Sequence, residues 1–285
     1  MHLMTRLSVT LGTVAVLVTS LASVGSASAH AALPVRALDA CPATYTADFT
    51  AITPDFQTAA SSAAADKLAA IALKLIQLRY KYEDSAPPAG CETAQLNSIK
   101  GLELLEDGAV LTLSAVLDSK NAQTYLDFVN KTWTPRLQAM GAAATPSAAP
   151  APVATAAAAV CPDSAFTQQV AADFNSLNLS ATETNSTVVA ATALKVLKTR
   201  YGYEDMTAPA GCDAAVKYLA KLFMLATDTS VLFLAKLGDT TNAATYDTFY
   251  KKDLTDRATK IFADIGKYVD MNTLMSATAA PTAAK

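Results

Sequence analysis

Histidine is nearly missing from this chain. It has two in 285 residues, His2 and His30. His2 lies in a segment that reads as a leader, and His30 lies at the expected cut, so the body beyond has none. That excludes serine–histidine hydrolase triads, cysteine–histidine proteases, histidine-ligated zinc and histidine-held haem. The ten glycines are scattered singly and form neither a phosphate loop nor a dinucleotide fingerprint. No alternating acidic run around a glycine suggests a calcium loop. Carboxylates remain as acid–base groups. The expectation is a non-enzyme without a cofactor or metal.

Basic excess is also lacking. Once Arg6 leaves with the leader, 21 basic residues face 25 acidic ones. Without a basic patch to neutralise phosphates, nucleic acid is excluded as a partner. No hydrophobic run beyond the leader escapes charge. Tyr218 to Leu237 comes nearest, but Lys221, Asp228 and Lys236 interrupt it, as in a buried helix rather than a membrane span.

The leader has Arg6, then a short apolar stretch from Leu7 to Leu21, then small residues at Ala27-Ser28-Ala29. Residues 1–29 therefore read as a secretory signal peptide. The apolar stretch is short of the roughly 20 residues of a spanning helix. The chain is expected to be secreted or held at the cell surface, with no membrane span after cleavage. Asn130, Asn178 and Asn185 each open a formal glycosylation triplet.

What the chain does contain is itself, twice. Arg79-Tyr80-Lys81-Tyr82-Glu83-Asp84 returns as Arg200-Tyr201-Gly202-Tyr203-Glu204-Asp205. Pro-Ala-Gly-Cys follows each time, ending at Cys91 and Cys212, and the offset from 79 to 200 is 121 residues. Two pairs of cysteines fall inside the copies, and three pairings are open in an exported chain. If each copy folds alone, the pairs are Cys41–Cys91 and Cys161–Cys212. Each loop then contributes about 4 kcal/mol through chain entropy.

Leu68, Ile71, Leu75, Leu78 and Tyr82 recur at steps of three and four, marking one helix face. Val189, Thr192, Val196, Thr199 and Tyr203 repeat that period. These helices should stop at Asp84 and Asp205, before turns containing Gly90 and Gly211. A third helix runs from Cys91 past Leu117, and its counterpart from Cys212 past Leu237. A fourth starts after Asn121 and Asn242. The fold class is all-α: two tandem homologous antiparallel bundles of about four helices, one disulfide per bundle. Residues 41–140 form the first repeat and 161–270 the second. An Ala/Pro-rich linker, 141–160, separates them, and 271–285 is a disordered tail.

The doubled segment is the sharpest candidate site. Tyr80, Tyr82, Glu83 and Asp84, with Tyr201, Tyr203, Glu204 and Asp205, read as a duplicated polar–aromatic contact surface for an extracellular glycan, envelope component or protein. The competing reading is an internal brace, because Arg79 and Glu83, like Arg200 and Glu204, sit four apart. In that reading Arg136 and Arg257 reach the acids from the last helix, and Tyr80 and Tyr82 bury their rings with the hydroxyls at the rim. The leading function is an extracellular binding or cell-surface structural protein. The alternative is a carrier of lipid or another apolar ligand, because the third helices are apolar all round.

Overall fold

The computed structural model describes Cys41 and residues 44–143, 160–177 and 182–269. The expected signal peptide, most of the expected linker, the expected tail and Asn178 lie outside the described residues. Every described regular element is helical. The chain divides into two compact units. Unit 1 takes in the described part of Met1–Pro152 with Leu234–Thr241, and unit 2 that of Val153–Phe233 with Asn242–Lys285. Cys41 is bonded to Cys91, and Cys161 to Cys212.

The first copy begins with α1 (Thr44–Ser62) and α2 (Ala65–Asp84). Their junction is a two-bond helix stop. The Ala63 N–H donates to the Ala60 carbonyl and the Ala64 N–H to that of Ala59. Closing that pair requires a left-handed residue between them, and Ala63 takes that conformation at φ 50°. α2 buries Leu68, Ile71, Leu75 and Tyr82, the stripe spaced by threes and fours.

α2 ends at Asp84 because the chain turns extended at Ser85. Pro88 to Cys91 then form a type II turn: the Cys91 N–H donates to the Pro88 carbonyl at 2.9 Å, and Gly90 supplies φ +84°. The second copy repeats this. Its α7 (Ser186–Asp205) stops at Asp205; Cys212 donates to Pro209 at 2.9 Å, and Gly211 has φ +77°.

α3 (Glu92–Leu117) is buried without a break from Leu105 to Ala115 and packs on α2 and α1. A 3₁₀ turn, Ser119–Asn121, leads into the last helix of this copy. That helix comprises α4 (Ala122–Phe128), a π-helical turn over Val129–Trp133, and α5 (Thr134–Ala143), so it extends three residues into the expected linker.

The wide π turn seats Trp133, which is fully buried. Its Nε1–H donates to the Leu104 carbonyl at 2.7 Å. Gly108 makes the room, since a Cβ there would lie 2.8 Å from the indole.

In the second copy, α6 (Ser164–Ser176) precedes α7, and α8 (Asp213–Gly238) follows it. A 3₁₀ turn over Thr240–Asn242 leads to α9 (Ala243–Phe249), a π turn over Tyr250–Leu254, and α10 (Thr255–Ile265). Both starts here are capped by side chains. Asp163 Oδ1 accepts from the Phe166 N–H, and Asn185 Oδ1 from the Thr187 N–H. The core of unit 2 gathers Phe166, Val170, Val196, Tyr203, Leu219 and Phe223, with Ile265 from the far end of the chain. α8 is long and apolar enough to cross a membrane, but 78% of its apolar window is buried inside the protein. Burial against its neighbours accounts for its composition.

Candidate functional site

The repeated segment forms the last turn and a half of α2 and of α7. Its side chains divide by face. Arg79, Tyr80 and Tyr82 are buried, as are Arg200, Tyr201 and Tyr203, while Glu83, Asp84, Glu204 and Asp205 are exposed. The tyrosines therefore do not present rings to a ligand. The aromatic half of the expected contact surface points inward, and only the acids face solvent.

In the first copy the arginine is clamped by two acids. Arg79 Nη1 lies 2.8 Å from Glu83 Oε1 on its own helix, and Nε lies 3.2 Å from Glu106 Oε2 on α3. The guanidinium carbon also stands 4.9 Å above the Tyr80 ring. Glu106 is fully buried, so the pair lies in a medium where a lone charge is very costly. The neighbouring Asp107 is fully buried as well.

A second set of bonds ties α2 to α1. The Tyr82 hydroxyl donates to Asp48 Oδ2 at 2.7 Å, and Lys81 Nζ approaches the same oxygen at 3.0 Å. These bonds hold the Asp48 carboxyl below its ordinary value of 3.8, the tyrosine contributing most. Gln95 Nε2 donates to the Tyr82 and Ser85 carbonyls, both at 2.7 Å. The amide thus closes the α2 end that the two acids would otherwise leave more negative.

The second copy reaches the same layout with other residues. Arg200 Nε lies 2.9 Å from Glu204 Oε1, and its Nη1 rests 2.7 Å from Met224 Sδ. The guanidinium stands 5.0 Å from the Tyr201 ring centre. The Tyr203 hydroxyl donates to Asp173 Oδ2 at 2.9 Å, and its ring stacks on Phe223 with centroids 4.8 Å apart. Burial first, then the Asp173 carboxylate, pushes the Tyr203 phenol well above its ordinary value.

Other paired positions escape the reading of the repeat. Asp107 and Asp228 sit 121 apart and are both fully buried. Asp118 and Asp239 also match, and both are buried. Asp118 Oδ2 accepts from the Tyr125 hydroxyl at 2.8 Å and from Asn121 Nδ2 at 2.9 Å, which joins α3 to α4 through one carboxylate. Burial, and then Asp118, pushes the Tyr125 phenol far up. The available signal was identity between copies: a shared acid inside an apolar helix has to be neutralised by something.

The carboxylates paired with arginine and tyrosine tie helices together, and Glu106 and Asp107 are fully buried. Among the described residues, no group of three or more histidine, cysteine or acidic side chains is placed to hold a metal. Asn130 and Asn185 are exposed; Asn185 is engaged through Oδ1 as the cap of α7. Comparison of the chain with protein-family models, with curated proteins and with solved structures finds no match.

Proposed function

We propose that the chain is an exported, non-enzymatic protein built of two tandem antiparallel helical bundles, each closed by its own disulfide, with a binding or structural role outside the cell or at its surface. The observation that carries this reading is the use of the doubled segment. In both copies the arginine and tyrosines are spent on internal partners, which makes the segment a brace that keeps a small alanine-rich body rigid. A small body that buries little area per residue gains much from such ties and from a disulfide.

Two copies of one rigid body on a single chain offer two copies of one contact, and the second binds at a raised local concentration. Asp84 and Asp205 are exposed acids at the same position of both copies, and they are the groups through which the repeated segment would meet a partner. A cationic or hydroxyl-rich envelope component suits them.

The test uses the protein as exported. Mass measurement should place the start of the mature chain after Ala29. Co-sedimentation with purified cell envelope should then fall when Asp84→Asn and Asp205→Asn are combined, and fall less for either alone. Equal sedimentation of the double variant removes the acids from the contact. Retention of the protein inside the cell with its leader uncut removes the export reading.

A further inference from the structure

Tyr218 lies in the second turn of α8, six residues beyond Cys212, and Tyr268 follows the end of α10. Their rings stack with centroids 4.9 Å apart at 17°. Burial first, then the neighbouring Tyr268 and Asp264, raise the Tyr218 phenol above its ordinary value. The near-parallel stack places the ring carbons of the two phenols next to each other. Both rings are half-buried, with Lys221 Nζ 5.3 Å from the Tyr218 ring centre and the Lys267–Asp264 ion pair at 2.6 Å nearby. The first copy has Asn97 where the second has Tyr218, so the pair belongs to the second copy alone.

We propose that Tyr218 and Tyr268 are an oxidative cross-linking site, joined into an intramolecular dityrosine by a haem peroxidase with hydrogen peroxide. Each phenol gives up one electron and its hydroxyl proton. The two phenoxyl radicals combine at ring carbons next to the oxygens and form one C–C bond. The hydrogen on each coupled carbon leaves to solvent while each oxygen regains a proton, restoring both phenols. Two hydrogen atoms are lost in all. The peroxide takes them up, its O–O bond breaks, and two waters result.

The location gives the link a mechanical consequence. The Tyr268 carbonyl accepts from the Cys161 N–H at 2.8 Å, and Val269 is buried next to it. A bond from Tyr268 to α8 would fix this end of the chain beside the Cys161–Cys212 disulfide, giving unit 2 a second covalent closure. Trp133 is fully enclosed, and Tyr80, Tyr82, Tyr125, Tyr201, Tyr203 and Tyr246 are buried, while the half-buried Tyr250 lies against Phe233 and not against another tyrosine ring.

The experiment treats the full-length mature protein, disulfides intact, with limiting hydrogen peroxide and a haem peroxidase. The expected product is monomeric, shows dityrosine fluorescence, and yields a linked pair of peptides containing Tyr218 and Tyr268, lighter by two hydrogens. Tyr218→Phe and Tyr268→Phe should each lose the fluorescence to reagent background, while Tyr250→Phe keeps it. Circular dichroism checks the fold of each variant. Should one of them fail to fold, the other and the wild-type peptide map decide. No cross-link, a link mapped to other tyrosines or between molecules, or fluorescence persisting in a folded Tyr218→Phe protein overturns the proposal.

Discussion

The two copies keep one backbone plan and fill it differently. The stops of the second and third helices, the glycine turns and the π turns recur at the 121-residue offset, yet the buried positions between them have been exchanged in linked sets. Gly108 and Trp133 of the first copy become Thr229 and Leu254. Glu106, which holds Arg79, becomes Thr227, and the second arginine leans on Met224 instead. Gln95, which closes the end of α2, becomes Val216. The first copy solves its interior with charge and one large ring. The second solves it with sulfur, stacked aromatics and side-chain caps. The geometry shared by both is what the sequence cannot vary; the fill can vary as long as partners change together.

The largest separation between the copies should come from the arginine brace. Glu106→Ala removes the buried ion-pair partner that α3 gives Arg79, while Glu83, the partner on its own helix, is partly exposed. Breaking a buried pair from one side costs about 3–5 kcal/mol. Thr227→Ala, at the matching site, removes a hydroxyl bonded to the Phe223 carbonyl of its own helix and should cost about 1 kcal/mol or less. Urea unfolding followed by Trp133 fluorescence reports the first copy, because that is the chain's one tryptophan. Hydrogen exchange of α7 and α8 peptides reports the second. Equal losses in the two would mean that Glu106 does not carry the brace.

Next comes the ring and its gap. Gly108→Ala puts a methyl 2.8 Å from an enclosed indole. Overpacking costs about 1–3 kcal/mol, and alanine's better helix propensity returns up to about 1 kcal/mol. A net loss of about 1–2 kcal/mol is expected from the balance of the two. Adding Trp133→Leu imports the fill of the second copy and should recover part of the loss, with a coupling of about 1 kcal/mol or more. Strict additivity would show that the two positions do not share one space. Because this change removes the fluorescent reporter, far-ultraviolet circular dichroism follows the unfolding.

The titration behaviour also differs between the ties. Asp48 is depressed in the fold, so its contribution is present above its unfolded value of 3.8 and is lost as the pH falls through the lower folded value. Being largely solvated, it should produce a modest acid effect on α1, weakened by salt. Tyr125 and Tyr203 are raised, so their contributions are complete below the unfolded value of 10.0 and decline as the pH rises above it. Thermal midpoints should fall above pH 10, and the fall should be shallower in Tyr203→Phe. A midpoint unchanged up to pH 11 would contradict the buried hydrogen-bonded phenols.

How much of this was legible in the residues follows from where the information lies. Helix ends at Asp84 and Asp205 were readable because proline and glycine act locally on the backbone. The Arg79–Glu83 and Arg200–Glu204 pairs were readable because four residues is one turn. The residues left two readings of Tyr80 and Tyr82 open, rings buried in a brace or presented to a ligand, because Tyr80 and its counterpart Tyr201 lie off the stripe of threes and fours; the buried reading holds. Glu106 and Asp107 were hidden by the length of the apolar helix around them. The tyrosine anchors differ for a further reason. Asp48 lies seven residues after Cys41, but Asp173 lies twelve after Cys161. The first helices thus lost the register the other three kept, and an offset-based comparison cannot pair those acids. The π turns leave no mark either, since their residues continue a helical pattern.

The smallest effect tests the one stop the copies do not share. Ala63 holds a left-handed conformation at φ 50°, where its Cβ crowds the following carbonyl at roughly 1–2 kcal/mol. Ala63→Gly removes that crowding but frees the unfolded chain, which takes back about 0.4–1 kcal/mol. The difference leaves a gain of about 0.5–1 kcal/mol for the glycine variant. Gly90→Ala is the mirror experiment. It sits at φ +84° with no atom within 4 Å of an added methyl, so only the backbone resists, and a loss of similar or somewhat larger size is expected. Opposite signs in the two variants, read as shifts of the urea midpoint at constant slope, would assign both effects to backbone handedness. A loss in Ala63→Gly would instead mean that the methyl earns its place by packing under the α1–α2 junction, and that the helix stop, unlike the turn at Gly90, depends on side-chain contact.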